Sequence, residues 1–325
     1  MTAIGYALSS EEHTATDLVR HARRAEEAGF SFAVISDHYH PWIDRQGQSP
    51  FVWGVLGAIA EATERLRVGT GVTCPTVRIH PAIIAQASAT AAALMPGRFF
   101  LGLGTGERLN EHILGAPWPE YEVRAEMLAE AVEVIRELWK GAVTSHRGRH
   151  YTVDSARIYT LPDPLPPIYM AAGGPRAAQE AARLGDGLIS TAPDKELVDG
   201  YGTAGGTGPR IGQVTICWAR TEAEARRTAL EWWPTVALHG EVSRELASPA
   251  HFEELAKSVT EDQVAELVPC GPDVERHVEK ITGYLDAGFD QVYVHQVGPD
   301  QAGFIKFAEG ELLPALRPEA MSIAS

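Results

Sequence analysis

Residues 3–29 read A-I-G-Y-A-L-S-S-E-E-H-T-A-T-D-L-V-R-H-A-R-R-A-E-E-A-G. The first six are apolar and suit a short buried strand. From 16 to 29, Leu18, Val19, Ala22 and Ala25 fall on one helical face, and Gly29 is placed to stop the helix. A buried strand followed at once by an amphipathic helix is one βα unit. The unit recurs at 32–36 with a helix over 51–64, at 66–72 with 81–94, and at 98–104 with a long helix over about 120–139.

The interval of about 144–166, containing H-R-G-R-H-Y-T-V-D-S-A-R-I-Y, breaks this rhythm and reads as a small β-rich insertion. Strand 167–172 with helix 175–184, strand 187–191 with a short helix near 194–201, and strand 213–219 with helix 222–238 restore it. After an irregular insertion over 240–268, helix 272–287 leads to strand 290–295 and a terminal helix over about 300–316. Eight buried strands separated by helices predict a (β/α)8 TIM barrel, a single domain over 1–325, in preference to a doubly wound open sheet. The glycine-rich piece 200–209 reads as a flexible barrel loop, because the rhythm continues on both sides of it.

Composition narrows the function classes. With 325 residues and 45% of them apolar, the chain can bury a large core. Its net charge of -15 argues against nucleic acid or an anionic membrane as a partner, since summed acidity repels polyanions. Cys74, Cys217 and Cys270 are widely spaced in sequence and odd in number, which suggests neither a disulfide framework nor a zinc site and fits a reducing cytoplasm. No stretch approaches the roughly 20 apolar residues of a membrane helix, and the N-terminus lacks the basic and apolar regions of a signal peptide.

In a barrel of this kind the chemistry sits on loops leaving the C-terminal strand ends. Here those loops carry Ser36-Asp37-His38-Tyr39-His40-Pro41-Trp42, Thr70-Gly71-Val72-Thr73-Cys74-Pro75, Gly104-Thr105-Gly106-Glu107 with Asn110 and Glu111, Ala171-Ala172-Gly173-Gly174-Pro175, and Thr191. Taken singly, Asp37 suits a turn cap and His38 a satisfied buried histidine. Together, glycines at so many strand ends let the backbone approach a flat or phosphorylated ligand closely. Gly173-Gly174-Pro175 also sets free N–H groups ahead of a helix, where an anion is favoured. G-L-G-T-G-E departs from the dinucleotide pattern because position 107 is Glu, and no Walker lysine follows.

S-D-H-Y-H-P-W, G-T-G-V-T-C-P-T, F-L-G-L-G-T-G-E-R-L-N-E and Y-M-A-A-G-G-P together resemble the luciferase-like flavin/deazaflavin superfamily. Within it they resemble the branch of F420-dependent oxidoreductases that includes F420-dependent glucose-6-phosphate dehydrogenase and the F420-dependent secondary alcohol dehydrogenases. The resemblance runs in matching order over nearly the whole chain. It implies a TIM barrel, usually a homodimer, that holds coenzyme F420 at its mouth. Asp37, Gly71, Val72, Thr105, Gly106, Glu107 and Asn110, with the backbone of Ala171, Ala172, Gly173 and Gly174, would line the coenzyme. A non-proline cis peptide is expected between Gly71 and Val72.

The same resemblance implies roles for three side chains in hydride transfer between an alcohol and the deazaflavin C5. His38 would be the general base, since an imidazole with an ordinary pKa of about 6.5 suits proton abstraction near neutrality. Trp42 would donate its indole N–H to the developing oxyanion, and Glu107, with its pKa raised by burial, would deliver a proton. Glu11 would bind substrate hydroxyls, and His40 is left structural. Relatives that use sugar phosphates hold the phosphate with a threonine and a basic cluster. Thr191 is present here, but Ala192-Pro193-Asp194-Lys195 follows it, and Glu254 and Leu267 stand where basic residues are expected. Lys195 would contact substrate yet compensate poorly alone, so a neutral or unphosphorylated sugar-like alcohol is expected. Trp218, Trp232 and Trp233 are expected either to wall the pocket or to pack in the core. The alternatives are an FMN-dependent luciferase-like monooxygenase and an F420-dependent sugar-phosphate dehydrogenase.

Overall fold

Thr14 starts the first helix by accepting the N–H of Asp17, and Gly29, at φ 99°, ends it by returning its own N–H to Ala25 and Glu26. Between these caps the helix Ala15–Ala28 buries Leu18, Ala22 and Ala25 against the strand before it. The computed structural model describes residues 3–238 and 242–317, and repeats this unit around a closed barrel.

The strands are β1 (Ala3–Leu8), β2 (Phe32–Ile35), β3 (Arg67–Thr70), β4 (Phe99–Leu103), β5 (Thr144–Arg147), β6 (Thr152–Ala156), β7 (Ile168–Ala171), β8 (Gly187–Ser190), β9 (Arg210–Ile216) and β10 (Gln291–Gln296). Eight of them, all parallel, close in the order β1-β10-β9-β8-β7-β4-β3-β2, which excludes the doubly wound open sheet. β5 and β6 form a separate antiparallel hairpin, the expected β-rich insertion. Its Tyr151 hydroxyl donates to the carbonyls of Pro75 (2.9 Å) and Thr76 (3.2 Å), so the hairpin buttresses the loop after β3.

Alternate strand residues go to two cores. Ile4, Tyr6, Leu101, Met170, Val214 and Val292 join the layer between barrel and helices. Phe32, Val34, Phe100, Tyr169, Ile211 and Tyr293 fill the barrel interior. Three interior rings lie over glycines of the neighbouring strand: Gly5 pairs with Phe32, Gly69 with Phe100 and Gly187 with Tyr169. A Cβ on Gly5 would come within 2.6 Å of the Phe32 ring, and one on Gly187 within 2.7 Å of Tyr169.

Several boundaries differ from expectation. β9 begins at Arg210, because its first residues pair with β8 and β10 in spite of their mixed polarity. The 200–209 piece is not all loop, since the helix Lys195–Thr203 takes its first four residues. Helix 222–238 stops at Trp232, where Pro234 removes a backbone donor. The 240–268 stretch, whose residues 240 and 241 lie outside the described residues, holds the short helices Val242–Glu245, Pro249–Ala256 and Glu261–Leu267. Each is too short to show a clear period. Cys217 and Cys270, distant in sequence, meet across an isolated parallel bridge as free thiols.

Candidate active site

The loop after β2 is held from many sides. Asp37 accepts from the Thr73 hydroxyl (2.7 Å) and from Arg78 Nη2 (2.8 Å), and Arg78 also binds Glu111. Asn110 Oδ1 accepts the backbone N–H groups of Tyr39 and His40, at 2.9 and 3.2 Å. Ser49 donates to the His38 carbonyl, and Gln46 accepts the N–H of Trp42. The Trp42 ring then packs edge-on against Phe252 of the helix Pro249–Ala256, with centroids 5.2 Å apart, and against His38 at 5.0 Å.

This scaffold holds His38 between two carboxylates. Its Nδ1 is 3.2 Å from Glu11 Oε1 and 3.3 Å from the His40 carbonyl, and its Nε2 is 3.7 Å from Glu107 Oε2. Two acceptors at Nδ1 favour a ring proton there, and Nε2 faces Glu107. Glu11 also accepts from the Ser36 and Ser9 hydroxyls, at 2.6 and 3.1 Å.

The two carboxylates are displaced in opposite directions. Burial pushes Glu11 up, but His38, the Ser36 hydroxyl and further hydrogen bonding outweigh it and hold the carboxyl below its ordinary value. At Glu107 burial again pushes up, and His38 and Arg244 only partly oppose it, so the proton is held above the usual carboxylate range. Two acids on one imidazole with opposed shifts are suited to different tasks: one to stay charged, one to carry a proton.

Around them opens a cavity of about 530 Å³. His38, Trp42, Glu107, Glu11, Thr191, Asp37, Gly71, Val72, Thr105, Gly106, Asn110, Ala171, Ala172, Gly173 and Gly174 all line it. The peptide between Gly71 and Val72 is cis. Asp37 spends its oxygens on Thr73 and Arg78, and Asn110 spends its oxygen on the loop after β2, so each presents only part of its hydrogen-bonding capacity to the cavity. Lys195 is not brought there: it is exposed and paired with Asp199 at 3.0 Å on its own helix. His40 is structural in placement, with Nδ1 2.8 Å from the Leu109 carbonyl.

Other lining residues went unmarked by any motif. His295, at the end of β10, has Nε2 3.0 Å from Glu12 Oε2 and its ring 4.3 Å from Trp233. Successive carboxylates, Glu11 and Glu12, thus each hold one histidine. The position of His295 at a barrel strand end was the available signal. Trp233 reaches the cavity, whereas Trp218 stacks on Phe307 and Trp232 lies under Arg45. Arg244 lines the cavity from the second insertion, where nothing in the sequence marks it.

A wall of small residues completes the site. A Cβ on Gly71 would strike the Val34 side chain, and one on Gly104 would lie 2.7 Å from Val72 and 3.3 Å from Ala171. The cavity is thus bordered by glycine and alanine backbone and by small aliphatic side chains. Among the described residues no group of three or more His, Cys, Asp or Glu could hold a metal ion, and no helix is long and apolar enough to cross a membrane.

Residues 1–291 match the family model described as luciferase-like monooxygenase. The F420-dependent glucose-6-phosphate dehydrogenase of Intrasporangium calvum is 38% identical, over 98% of this chain and 99% of that protein. The enzyme of the same name from Nocardia farcinica is 37% identical, over 97% and 98%. Among solved structures, an F420-dependent secondary alcohol dehydrogenase in complex with an F420-acetone adduct matches with a TM-score of 0.89 and 30% identity, over 97% of this chain and 99% of that one. The coenzyme F420-dependent tetrahydromethanopterin reductase of Methanopyrus kandleri, at a TM-score of 0.78, 22% identity and coverage of 97% and 99%, shares the fold.

Proposed function

The chain belongs to the luciferase-like monooxygenase family, and from that premise we propose that it is a coenzyme F420-dependent oxidoreductase acting on the CH–OH group of an alcohol. The observation that carries this reading is His38, held at Nδ1 by Glu11 and facing Glu107 at Nε2, in a cavity walled by glycine and alanine backbone. The wall fits the flat deazaflavin, and Gly71, Val72, Gly104, Thr105, Gly106 and the Ala171–Gly174 backbone would hold it. When bound, F420 supplies a two-electron hydride acceptor at its ring C5.

The protein's own groups manage the protons. His38 Nε2 takes the hydroxyl proton of the alcohol as the carbinol hydrogen leaves with its electron pair. Glu11, kept ionised, fixes the tautomer and stabilises the imidazolium that results. Trp42, packed on the His38 ring at the cavity wall, would donate its indole N–H to the alcohol oxygen while negative charge grows there. Glu107 holds a proton on the far side of His38, ready for negative charge that builds beside it.

A neutral secondary alcohol or an unphosphorylated sugar-like alcohol is the substrate class this reading favours. Lys195 is paired with Asp199, Lys257 with Glu254, and Asp194 caps its own helix, so among the described residues the lysines after β8 and at the end of the helix Pro249–Ala256 are each matched by a carboxylate and form no cluster for a phosphate dianion. The curated relatives above carry a sugar-phosphate name, which makes the test direct. Tryptophan quenching on titration with F420 and FMN identifies the coenzyme, and loss of the visible absorbance of oxidised F420 follows turnover of alcohols, glucose and glucose 6-phosphate. Quenching by FMN alone removes the coenzyme assignment, and faster turnover of glucose 6-phosphate than of simple secondary alcohols removes the substrate assignment. The helices Val52–Ala62 and Pro81–Leu94, with Phe51, Ile83 and Leu94 exposed, supply the apolar face of a homodimer, which a light-scattering mass of one chain would refute.

A further inference from the structure

In the closed barrel β1 pairs with β2 on one side and with β10 on the other, so the loop after β1 stands between two neighbours. Its successive carboxylates divide between them. Glu11 meets His38 from the loop after β2, and Glu12 meets His295 at the end of β10. The first pair handles the reacting proton, and the second has no part in that transfer. Both members of the second pair are buried, with side-chain exposures of 0% for Glu12 and 3% for His295, yet His295 lines the cavity.

Glu12 is fully engaged behind the ring. Its Oε2 lies 3.0 Å from His295 Nε2, and its Oε1 accepts the N–H of Gly298 at 2.9 Å. The carboxylate favours the ring proton on Nε2, and Nδ1, 3.5 Å from the Thr215 hydroxyl, is then the acceptor. On the neighbouring strand β9, Gln213 spends its Oε1 on the Tyr293 hydroxyl at 2.8 Å. Gln213 also lines the cavity, and among the described residues nothing accepts from its amide N–H2. Trp233 stands edge-on to His295, with centroids 4.3 Å apart, and closes the same side. An imidazole acceptor, an amide donor and an indole on one wall suit a hydroxylated carbon ring: the polar groups serve its O–H groups and the indole its C–H surface. A wholly apolar substrate would leave the polar groups unpaired.

We propose that His295, oriented by Glu12 and assisted by Gln213 and Trp233, binds a substrate hydroxyl remote from the carbon being oxidised, so that the substrate is a ring polyol rather than a simple secondary alcohol. The proposal rests on the F420 reading above and narrows its substrate class. Strands stand about 4.8 Å apart, so β2 and β10, with β1 between them, are separated by roughly 10 Å. A substrate with its carbinol at His38 therefore meets His295 through a hydroxyl several bonds away, as on the far side of a six-membered ring.

The test compares cyclohexanol with trans-cyclohexane-1,4-diol, which share a ring and differ in one remote hydroxyl, by loss of the visible absorbance of oxidised F420. The wild-type protein is expected to favour the diol in kcat/KM by about tenfold or more, beyond the twofold that two equivalent hydroxyls give, and chiefly through KM. His295→Ala is expected to lower the ratio of the two kcat/KM values by about ten- to hundredfold, the range for a lost hydrogen bond in a buried site. Glu12→Gln, which keeps an acceptor for Nε2, is expected to retain more of the ratio than Glu12→Ala. His295→Gln, which keeps a polar side chain at the strand end, tests the same ratio where the alanine variant does not fold, as thermal melts would show. A merely structural role for the pair predicts equal losses on both alcohols. A wild-type ratio of two or less, or a ratio unchanged in the His295 variants, would overturn the assignment. A wild-type protein that bleaches F420 with no alcohol, glucose included, would overturn the coenzyme reading itself, a result distinct from these.

Discussion

At the floor of the barrel Gly5, Gly69 and Gly187 each face an aromatic ring on the paired strand, while at the mouth Gly71 meets the Val34 side chain, Gly104 meets Val72 and Ala171, and Gly173 meets the end of one arginine. Glycine is used at both levels, to opposite effect. At the floor it admits a ring and the interior is filled. At the mouth the neighbours are small, and the unfilled space becomes the cavity. The partner across the strand, not the glycine, decides whether space is closed or kept open. The floor is therefore expected to carry stability and the mouth chemistry, and four measurements can break that division.

The largest effect belongs to the mouth. His38→Ala is expected to lower kcat for alcohol oxidation by about 10²- to 10⁴-fold while the melting temperature and coenzyme affinity stay near wild type. Undiminished turnover would remove His38 as the base, and a large drop in stability would blur the two levels. Next comes a matched pair. Phe100→Ala empties a fully packed floor position and is expected to cost about 3–5 kcal/mol in denaturant unfolding. Gly104→Ala at the mouth is expected to lower coenzyme affinity with under about 1 kcal/mol of stability change, because the Val72 side chain that its Cβ meets borders open space. Equal stability losses in the two variants would show that the levels are not distinct.

The remaining two measurements use pH, to which only the mouth should respond. Because the Glu107 carboxyl is raised, it is protonated below its folded pKa and loses the proton as pH rises through that value, above the ordinary carboxylate range. The rate is expected to fall along that limb, and Glu107→Gln to give a slower, flat profile there. An unchanged limb in the variant would assign it to another group. The smallest effect is at Glu11, whose folded pKa is lowered. Its contribution to stability is present above the unfolded carboxylate value and lost as pH falls through the folded one. Glu11→Gln should therefore lose less stability than wild type on acidification below about pH 4.5, as read by thermal melts.

Local signals carried far in this chain. A helix stopped by Gly29, apolar runs of strand length and turn residues at strand ends are properties of neighbours, so the order of βα units was legible. The loop residues His38, Trp42 and Glu107 were legible because a barrel sends every strand end to one face. Lys195 failed because a charge four residues away, Asp199, was a nearer partner than any ligand. The helices of the second insertion failed because segments of four to eight residues show little periodicity.

The amino-acid order by itself determined the elements, their sequence along the chain, and which residue types stand at each strand end, since these depend on contacts within a few residues. Only the closed barrel decided that Glu12 grips His295, 283 positions away, that Glu11 and Glu107 bracket one imidazole with opposite proton affinities, and that Arg244 lies over Gly173. Such pairings depend on burial and on distance through space, and both come into being only when the last strand meets the first.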